Sequence, residues 1–221
     1  MPFSLPPLYP ILDASLLPSF ERGANLTHIV CDLENAGVTL LQYRNKQGSQ
    51  DEIVSDAEVI RRNATARLRL VMNDHPELAV RTGFDGVHVG QTDVSPTEAR
   101  RIVGPDRIVG VSTHNREQLE AADNMPVDYI AIGPVFATAS KQNPDPIVDL
   151  KGVREARMFT NKPLVAIGGI TLENARSILD AGADSVAVIS AIFKSEKDPA
   201  RAALEFLKAF GAYSESRADE Q

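Results

Sequence analysis

The amino-acid sequence predicts an α/β chain that closes into a single (β/α)8 TIM barrel. Short apolar runs of strand length alternate with amphipathic segments of helix length, and no linker or shift in composition divides them. We count eight strand and helix units, whereas an open parallel sheet usually has fewer strands and a glycine-rich fingerprint after the first one. The 221 residues match the length of one such barrel and can bury roughly 70% of the unfolded surface.

The predicted strands occupy residues 9–12, 40–43, 68–72, 86–89, 108–111, 129–132, 164–167 and 185–189. Predicted helices follow them at residues 26–36, 50–66, 76–82, 96–103, 116–122, 151–159, 172–181 and 199–210. Gly37, Gly83 and Gly182 each end a helix just before the next strand, where a left-handed residue terminates a helix. These loops mark the structural, N-terminal face of the barrel, so a phosphate site and the chemistry are expected at the C-terminal strand ends. We assign residues 1–211 to the barrel and residues 212–221 to a polar, disordered tail.

Composition narrows the class of protein. A hydrophobic content of 43% and a charged content of 24% are those of a soluble globular chain, and no apolar run reaches a membrane-spanning length. The net charge of -7 and the lack of a basic stripe disfavour a nucleic-acid partner. With Cys31 as the single cysteine and no signal-like N-terminus, a cytoplasmic location is expected. The oligomeric state stays open, with a homo-oligomer as one outcome.

Two aspartates follow consecutive predicted strands between residues 70 and 93. Parallel strands open on one edge, so Asn73, Asp74 and Asp93 should face one another. Two ionised carboxylates about 4 Å apart repel by roughly 4 kcal/mol at an effective dielectric near 20, so a cation is the usual reason to keep both. Oxygen ligands without cysteine or clustered histidine favour magnesium. The structural alternative makes Asn73 and Asp74 a turn and cap before Pro76, and Asp93 the cap of the following helix.

Three donors follow the second strand. Alternation sends Gln42, Arg44 and Lys46 to one side, toward the mouth of the barrel. An Arg fork and a Lys charge suit a diphosphate. The alternative is that Arg44 and Lys46 are solvated loop charges, which is the commoner case for an isolated RxK.

Two more segments suggest ligand contacts at the C-terminal strand ends. The long loop after the sixth strand carries Thr138, Ser140 and Lys141, and such a loop is more often a ligand lid than a spacer, although a surface excursion is the alternative. The tight Gly168-Gly169 turn lets backbone N–H groups approach a phosphate. The loops after strands seven and eight are where barrels commonly build that site.

The four histidines carry less information. His88 is predicted to be a packed interior residue, His28 a structural helix residue, and His75 part of the turn beside Asp74. His114, at the top of the fifth strand, could touch a ligand. No nucleophile, base and orienting group have the spacing of a triad.

Taken together, seven segments along nearly the whole chain resemble thiamine-phosphate synthases. They are QYRNK at 42–46, MNDHPELA at 72–79, GVHVGQTD at 86–93, GVSTH at 110–114, GPVFATASK at 133–141, AIGGI at 166–170 and VIS at 188–190. That family joins an aminopyrimidine-methyl diphosphate to a thiazole-ethyl phosphate, releases diphosphate and requires Mg²⁺. The resemblance therefore implies a magnesium-dependent transferase that acts on small phosphorylated substrates.

The resemblance also assigns roles by matching position. It implies that Asp74 and Asp93 bind magnesium. It implies that the pyrimidine diphosphate is held by Gln42, Tyr43, Arg44, Asn45, Lys46, Asn73, Ser112 and Lys141, and that Arg44, Lys46, Ser112 and Lys141 are catalytic. The residues implied for the thiazole phosphate are Thr138, Ala139, Ser140, Gly169, Ile189 and Ser190. This sequence departs from the family pattern at two places. Asn45 stands where the family often has an acidic residue, and residues 142–150 are proline-rich and lack an expected glycine. Both departures concern loop closure and the way the substrate is held.

Three other functions compete with this interpretation. A thiazole tautomerase of the same superfamily would use a histidine near the position of His114, but it would not need the pyrimidine diphosphate residues. A sugar-phosphate or tryptophan-pathway isomerase would need an acid and base pair that the sequence does not place. A catalytically silent ligand-binding protein would bind thiazole phosphate without turnover and without a magnesium requirement.

Overall fold

The computed structural model describes residues 4–18, 21–138, 145–195 and 197–218, with side chains described as far as residue 211. Eight parallel strands close into a barrel in chain order, and the last strand pairs with the first. The strands are β1 (Leu8–Asp13), β2 (Leu40–Arg44), β3 (Arg69–Asn73), β4 (Gly86–Val89), β5 (Ile108–Thr113), β6 (Tyr129–Ile132), β7 (Leu164–Ile167) and β8 (Ser185–Val188). The predicted fold class is therefore confirmed.

Each strand is followed by at least one helix. The helices are α1 (Arg22–Asn35), α2 (Gln50–Asn63), α3 (Pro76–Arg81), α4 (Pro96–Val103), α5 (Arg116–Asp123), α6 (Asp149–Phe159), α7 (Leu172–Asp180), α8 (Ser190–Phe193) and α9 (Pro199–Ala218). The sequence pattern does not predict helix α8, nor a short 3-10 helix at Ala14–Leu16 that follows β1. No helix in the described residues combines the length and apolar character needed to cross a membrane.

Apolar residues pack in two layers. The larger cluster lies between the strands and the surrounding helices, and a smaller one fills the barrel with residues that include Tyr9, Val71 and Tyr129. Glycine at position 110 makes this filling possible, because a Cβ there would lie 2.0 Å from the Cζ atom of Tyr129. The lower part of the barrel is a packed core, which leaves the C-terminal end for ligand.

The N-terminal face of the barrel repeats one structural device. Asp85, Asp128 and Asp184 precede β4, β6 and β8. Each accepts a hydrogen bond from a backbone N–H near the start of the preceding strand, which is β3, β5 or β7 respectively. Each carboxylate also pairs with an arginine: Arg61 and Arg69 with Asp85, Arg100 with Asp128, and Arg157 with Asp184. This face is therefore built for stability, as the glycine repeat predicts.

The Asp184→Ala variant should lower the free energy of unfolding by about 1–3 kcal/mol. It removes the acceptor, 2.7 Å away, of the Leu164 N–H, and Leu164 is fully buried. Urea unfolding followed by circular dichroism measures the change. The matched control is Asp180→Ala, whose exposed partner Arg176 lies 4.0 Å away, and that variant should change stability by less than about 0.5 kcal/mol. Equal losses in the two variants would contradict the structural role of Asp184.

Candidate active site

A cavity of about 380 Å³ opens at the C-terminal ends of the strands. This volume suits a small ligand or a pair of them. The cavity gathers most of the residues that the sequence singled out, from all parts of the chain. Those that line it are Gln42, Arg44, Lys46, Asn73, Asp74, Asp93, Ser112, Thr138, Gly169, Ile189 and Ser190.

Asp74 and Asp93 meet across the gap between β3 and β4, and their side chains are hydrogen-bonded to each other. Asp74 adopts a left-handed backbone conformation with a φ of 66°, and its N–H donates to the His88 carbonyl at 2.8 Å. Such strain in a residue other than glycine is typical of functional sites. The carboxylate of Asp93 accepts the Gly90 N–H at 2.9 Å.

The geometry does not support the capping alternative for these aspartates. Helix α3 has His75 at its N-cap position with no side-chain hydrogen bond, and helix α4 is capped by Ser95. Both carboxylates are therefore left for the cavity.

The pKa values of the two carboxyl groups shift in opposite directions. Burial raises the pKa of Asp74, and the hydrogen bond with Asp93 raises it further, against the opposing effect of Lys46. Burial also opposes the shift at Asp93, but hydrogen bonds from Asp74 and from the Gly90 N–H lower its pKa below the ordinary value. Two neighbouring carboxyl groups disfavour simultaneous ionisation, and a bound cation would relieve their repulsion.

Two cations lie beside these carboxyls. The Nζ atom of Lys46 is 2.6 Å from Oδ2 of Asp74. Arg44 pairs with Asp13, a buried residue at the end of β1 whose carboxylate also accepts hydrogen bonds from Ser15. Asp13 therefore fixes the direction in which the Arg44 guanidinium points, with further N–H groups left for a ligand.

The opposite side of the cavity is lined by backbone. Gly168 and Gly169 have φ values of 102° and 64°, which favour glycine. A Cβ on Gly169 would lie 2.4 Å from the Ala137 carbonyl oxygen, so this turn packs directly under the loop after β6. Ile189 and Ser190 lie beside it, where the short helix α8 begins. Loops after strands seven and eight with a short extra helix are a common phosphate site in such barrels.

Histidines occupy two positions on the cavity wall. His88 is buried, as predicted for an interior residue, but it also lines the cavity floor and bonds to Ser112. Burial lowers its pKa to about 4, which keeps it neutral. His114 also lines the cavity; its Nδ1 is 2.6 Å from the Gly133 carbonyl oxygen and its Nε2 is 3.5 Å from Asp145.

Some predicted residues are not brought to the cavity. The hydroxyl of Tyr43 donates to Asp56 on the helix side of β2, and the side chain of Asn45 accepts the Gly48 N–H, so the expectation that these two side chains contact substrate is not supported. Gln42 lies deeper than the predicted mouth position, because its amide donates to Tyr9. Ala139, Ser140 and Lys141, and most of the proline-rich segment after them, lie outside the described residues.

Several cavity residues were not predicted from the sequence. Gln91 and Thr92 line the cavity between Gly90 and Asp93, and Gln91 is held by a 2.6 Å hydrogen bond to the Ser112 carbonyl. Asp13 does not line the cavity itself, but it pairs with Arg44, which does. A carboxylate directly after a buried strand was the available signal for Asp13, the same signal that identified Asp74 and Asp93.

Comparison with known proteins agrees with this geometry. The family model described as thiamine monophosphate synthase matches residues 8–192. A thiamine-phosphate synthase of Koribacter versatilis is 55% identical over 204 residues, covering 92% of this chain and 95% of the relative. One from Agrobacterium fabrum is 41% identical over 218 residues, covering 94% of each.

A solved structure has the same fold. The thiamine phosphate pyrophosphorylase of Pyrococcus furiosus superposes with a TM-score of 0.79 at 30% sequence identity, over 91% of this chain and 94% of that one. With a family match over most of its length and relatives at this level of identity, the chain belongs to the thiamine monophosphate synthase family.

Proposed function

We propose that this chain is an enzyme that joins an aminopyrimidine-methyl diphosphate to a thiazole-ethyl phosphate, giving thiamine phosphate and diphosphate. The observation that carries the proposal is the division of the cavity into two halves. One half has Arg44, Lys46 and the two aspartates, which suit a diphosphate. The other has the Gly168-Gly169 turn and Ser190, which suit a single phosphate.

The reaction needs little proton transfer. The bond between the pyrimidine methylene carbon and the diphosphate oxygen breaks, and its electron pair leaves with the diphosphate. The neutral thiazole nitrogen then donates its lone pair to the resulting pyrimidine-methyl cation and forms the new C–N bond. Because no general base is required, the absence of a triad in the sequence is consistent with this chemistry.

Arg44 and Lys46 hold the diphosphate and stabilise the charge that develops on it as it leaves. Asp13 and Asp74 keep these two cations in place before substrate binds, so little reorganisation is needed during the reaction. Ser112 contacts the pyrimidine half from β5. Lys141 is proposed to add a third cation to the diphosphate, and Thr138, Ala139 and Ser140 to contact the thiazole phosphate, on the strength of the resemblance alone.

The donor set fits Mg²⁺. Among the described residues, no group of three or more histidine, cysteine or acidic side chains is placed to hold a metal, but magnesium typically uses one or two carboxylates together with substrate phosphates. Arg44 and Lys46 are already paired with Asp13 and Asp74, so a diphosphate needs further positive charge to bind. When bound, magnesium supplies that charge and stabilises the departing diphosphate.

The test is diphosphate release by the purified protein given both substrates, first with magnesium and then with EDTA. Release together with thiamine phosphate formation, abolished by EDTA, is the expected result. Saturable binding of the thiazole phosphate without release would instead favour the tautomerase or the silent binding protein. A cytoplasmic location and assembly into a homo-oligomer stay predictions from the sequence.

A further inference from the structure

A continuous line of hydrogen bonds crosses the interior of the barrel beneath the cavity. The Gln42 amide nitrogen lies 3.0 Å from the Tyr9 hydroxyl, which lies 3.0 Å from the Tyr129 hydroxyl. The Tyr129 hydroxyl lies 2.9 Å from Nδ1 of His88, and Nε2 of His88 lies 2.8 Å from Oγ of Ser112. The first four members are buried, and Ser112 opens to the cavity.

The structure places the amide nitrogen of Gln42, and not its oxygen, toward Tyr9, and the direction of the other bonds is inferred from that placement. An amide nitrogen only donates, so the Tyr9 oxygen accepts and its own proton remains to be placed. Tyr129 is the only other hydrogen-bond partner of Tyr9 among the described residues. If Tyr129 donated to Tyr9, the buried Tyr9 proton would lack an acceptor, which folded proteins rarely tolerate. Tyr9 therefore donates to Tyr129.

The remaining bonds follow from that direction. Tyr129 accepts from Tyr9 and donates to Nδ1 of His88, which leaves the single imidazole proton on Nε2. The Nε2–H then donates to the Ser112 oxygen. The low pKa of His88, caused first by its burial, agrees with a neutral ring that carries one proton.

We propose that Tyr9, Tyr129 and His88 are positioning residues that orient the hydroxyl of Ser112. Because Ser112 accepts from His88, its own proton points into the cavity, where it can only donate to the ligand. The site would therefore select a ligand with a hydrogen-bond acceptor at this point, such as a ring nitrogen of the aminopyrimidine or a diphosphate oxygen. The identity of that ligand rests on the proposed function, whereas the hydrogen-bond direction does not.

The packing around these hydrogen-bonded residues agrees with a positioning role. The rings of His88 and Tyr129 stack at 5.5 Å with an interplanar angle of 20°, which fixes the imidazole plane. Position 110, opposite the Tyr129 ring, is glycine, so the tyrosine has room that an alanine would remove. An apolar residue would fill this space equally well if packing were the only requirement.

The tautomer of His88 can be measured directly. Long-range ¹H–¹⁵N NMR spectra of the imidazole distinguish a protonated from an unprotonated ring nitrogen, and the His88→Gln variant assigns its signals among the four histidines. The wild-type protein should have a protonated Nε2 and an unprotonated Nδ1. The Tyr129→Phe variant keeps the stacked ring, removes the donor to Nδ1, and should shift His88 to a mixture of tautomers. A protonated Nδ1 in the wild type would overturn the proposal, since it requires the bonds to run the other way.

Kinetics test the consequence for ligand. Tyr129→Phe should raise the KM for the pyrimidine diphosphate by roughly 3- to 10-fold and leave the KM for the thiazole phosphate unchanged. Tyr9→Phe should have a smaller effect of the same kind, because Tyr129 can still donate to His88. A parallel rise in both KM values, or no rise in either, would contradict the role of Tyr9, Tyr129 and His88 in positioning Ser112.

The control for a lost buried hydroxyl is Tyr43→Phe. Tyr43 lies on the helix side of β2 and bonds to Asp56, so this variant should leave the His88 signals unchanged. If the protein shows no turnover at all, the proposed function fails, while the NMR spectra still decide the hydrogen-bond direction.

Discussion

Replacing Asp74 with asparagine should lower kcat/KM for the coupling reaction by about 100- to 1,000-fold. Asparagine has nearly the same shape and tolerates the left-handed backbone at this position, so the fold is retained. What is lost is a carboxylate that lies beside Lys46 and next to the carboxyl group of Asp93. The magnesium dependence should shift to higher concentration, because one of the two proposed ligands has become neutral. Initial rates of diphosphate release over a magnesium titration measure both effects.

The matched control for this variant is Asp51→Asn. Asp51 lies in the first turn of α2, exposed to solvent and away from the cavity. Its replacement should leave kcat/KM and the magnesium dependence unchanged. If Asp74→Asn also kept its magnesium dependence and stayed within about threefold of the wild type, the assignment of Asp74 to the metal would be wrong.

The regular part of the fold was well predicted because its signals are local. Gly86–Val89, Tyr129–Ile132 and Leu164–Ile167 match their predicted strands residue for residue, since each is a short apolar run bounded by turn residues. Helix α8, Ser190–Phe193, spans about one turn and shows no helical period. Its existence depends on where β8 ends in the barrel, which a local pattern does not contain.

The site residues on β2 show where two kinds of sequence argument differ. Alternation places Gln42, Arg44 and Lys46 on the cavity side, and the structure confirms that. The resemblance instead assigned substrate contacts to every residue of the segment 42–46, including Tyr43 and Asn45. Neighbouring residues of a strand point to opposite faces, so a contiguous motif necessarily includes side chains that face the helices.

The interior hydrogen bonds could not be predicted from the sequence. Tyr9 and Tyr129 stand in apolar runs and have the pattern of core residues, which they are. Their hydroxyls meet across the barrel from positions 120 residues apart. Only closure of the barrel brings them together with His88, so a pattern of period two identifies their burial but not their partners.

Acid should lower the free energy of unfolding through the protonation of His88, and this effect is also expected to be large. In the folded chain burial lowers the pKa of His88 from 6.5 to about 4. The unfolded chain therefore binds a proton below pH 6.5 that the folded chain does not bind until pH 4, so the free energy of unfolding decreases as the pH falls between these values. For a shift of this size the contribution is about 3 kcal/mol, present in full above pH 6.5 and lost by about pH 4.

Urea unfolding at intervals from pH 7 to pH 4 measures this loss, and His88→Gln isolates it. Carboxyl groups contribute in the same direction; hydrogen bonds from Thr65 outweigh burial and lower the pKa of Glu34, for example, so its stabilising effect is also lost in acid. Those groups are present in both proteins and cancel in the difference. The glutamine variant should be less stable at pH 7 but lose about 3 kcal/mol less on acidification. Parallel curves for the two proteins would mean that His88 titrates normally, which would be incompatible with a neutral imidazole sealed between Tyr129 and Ser112.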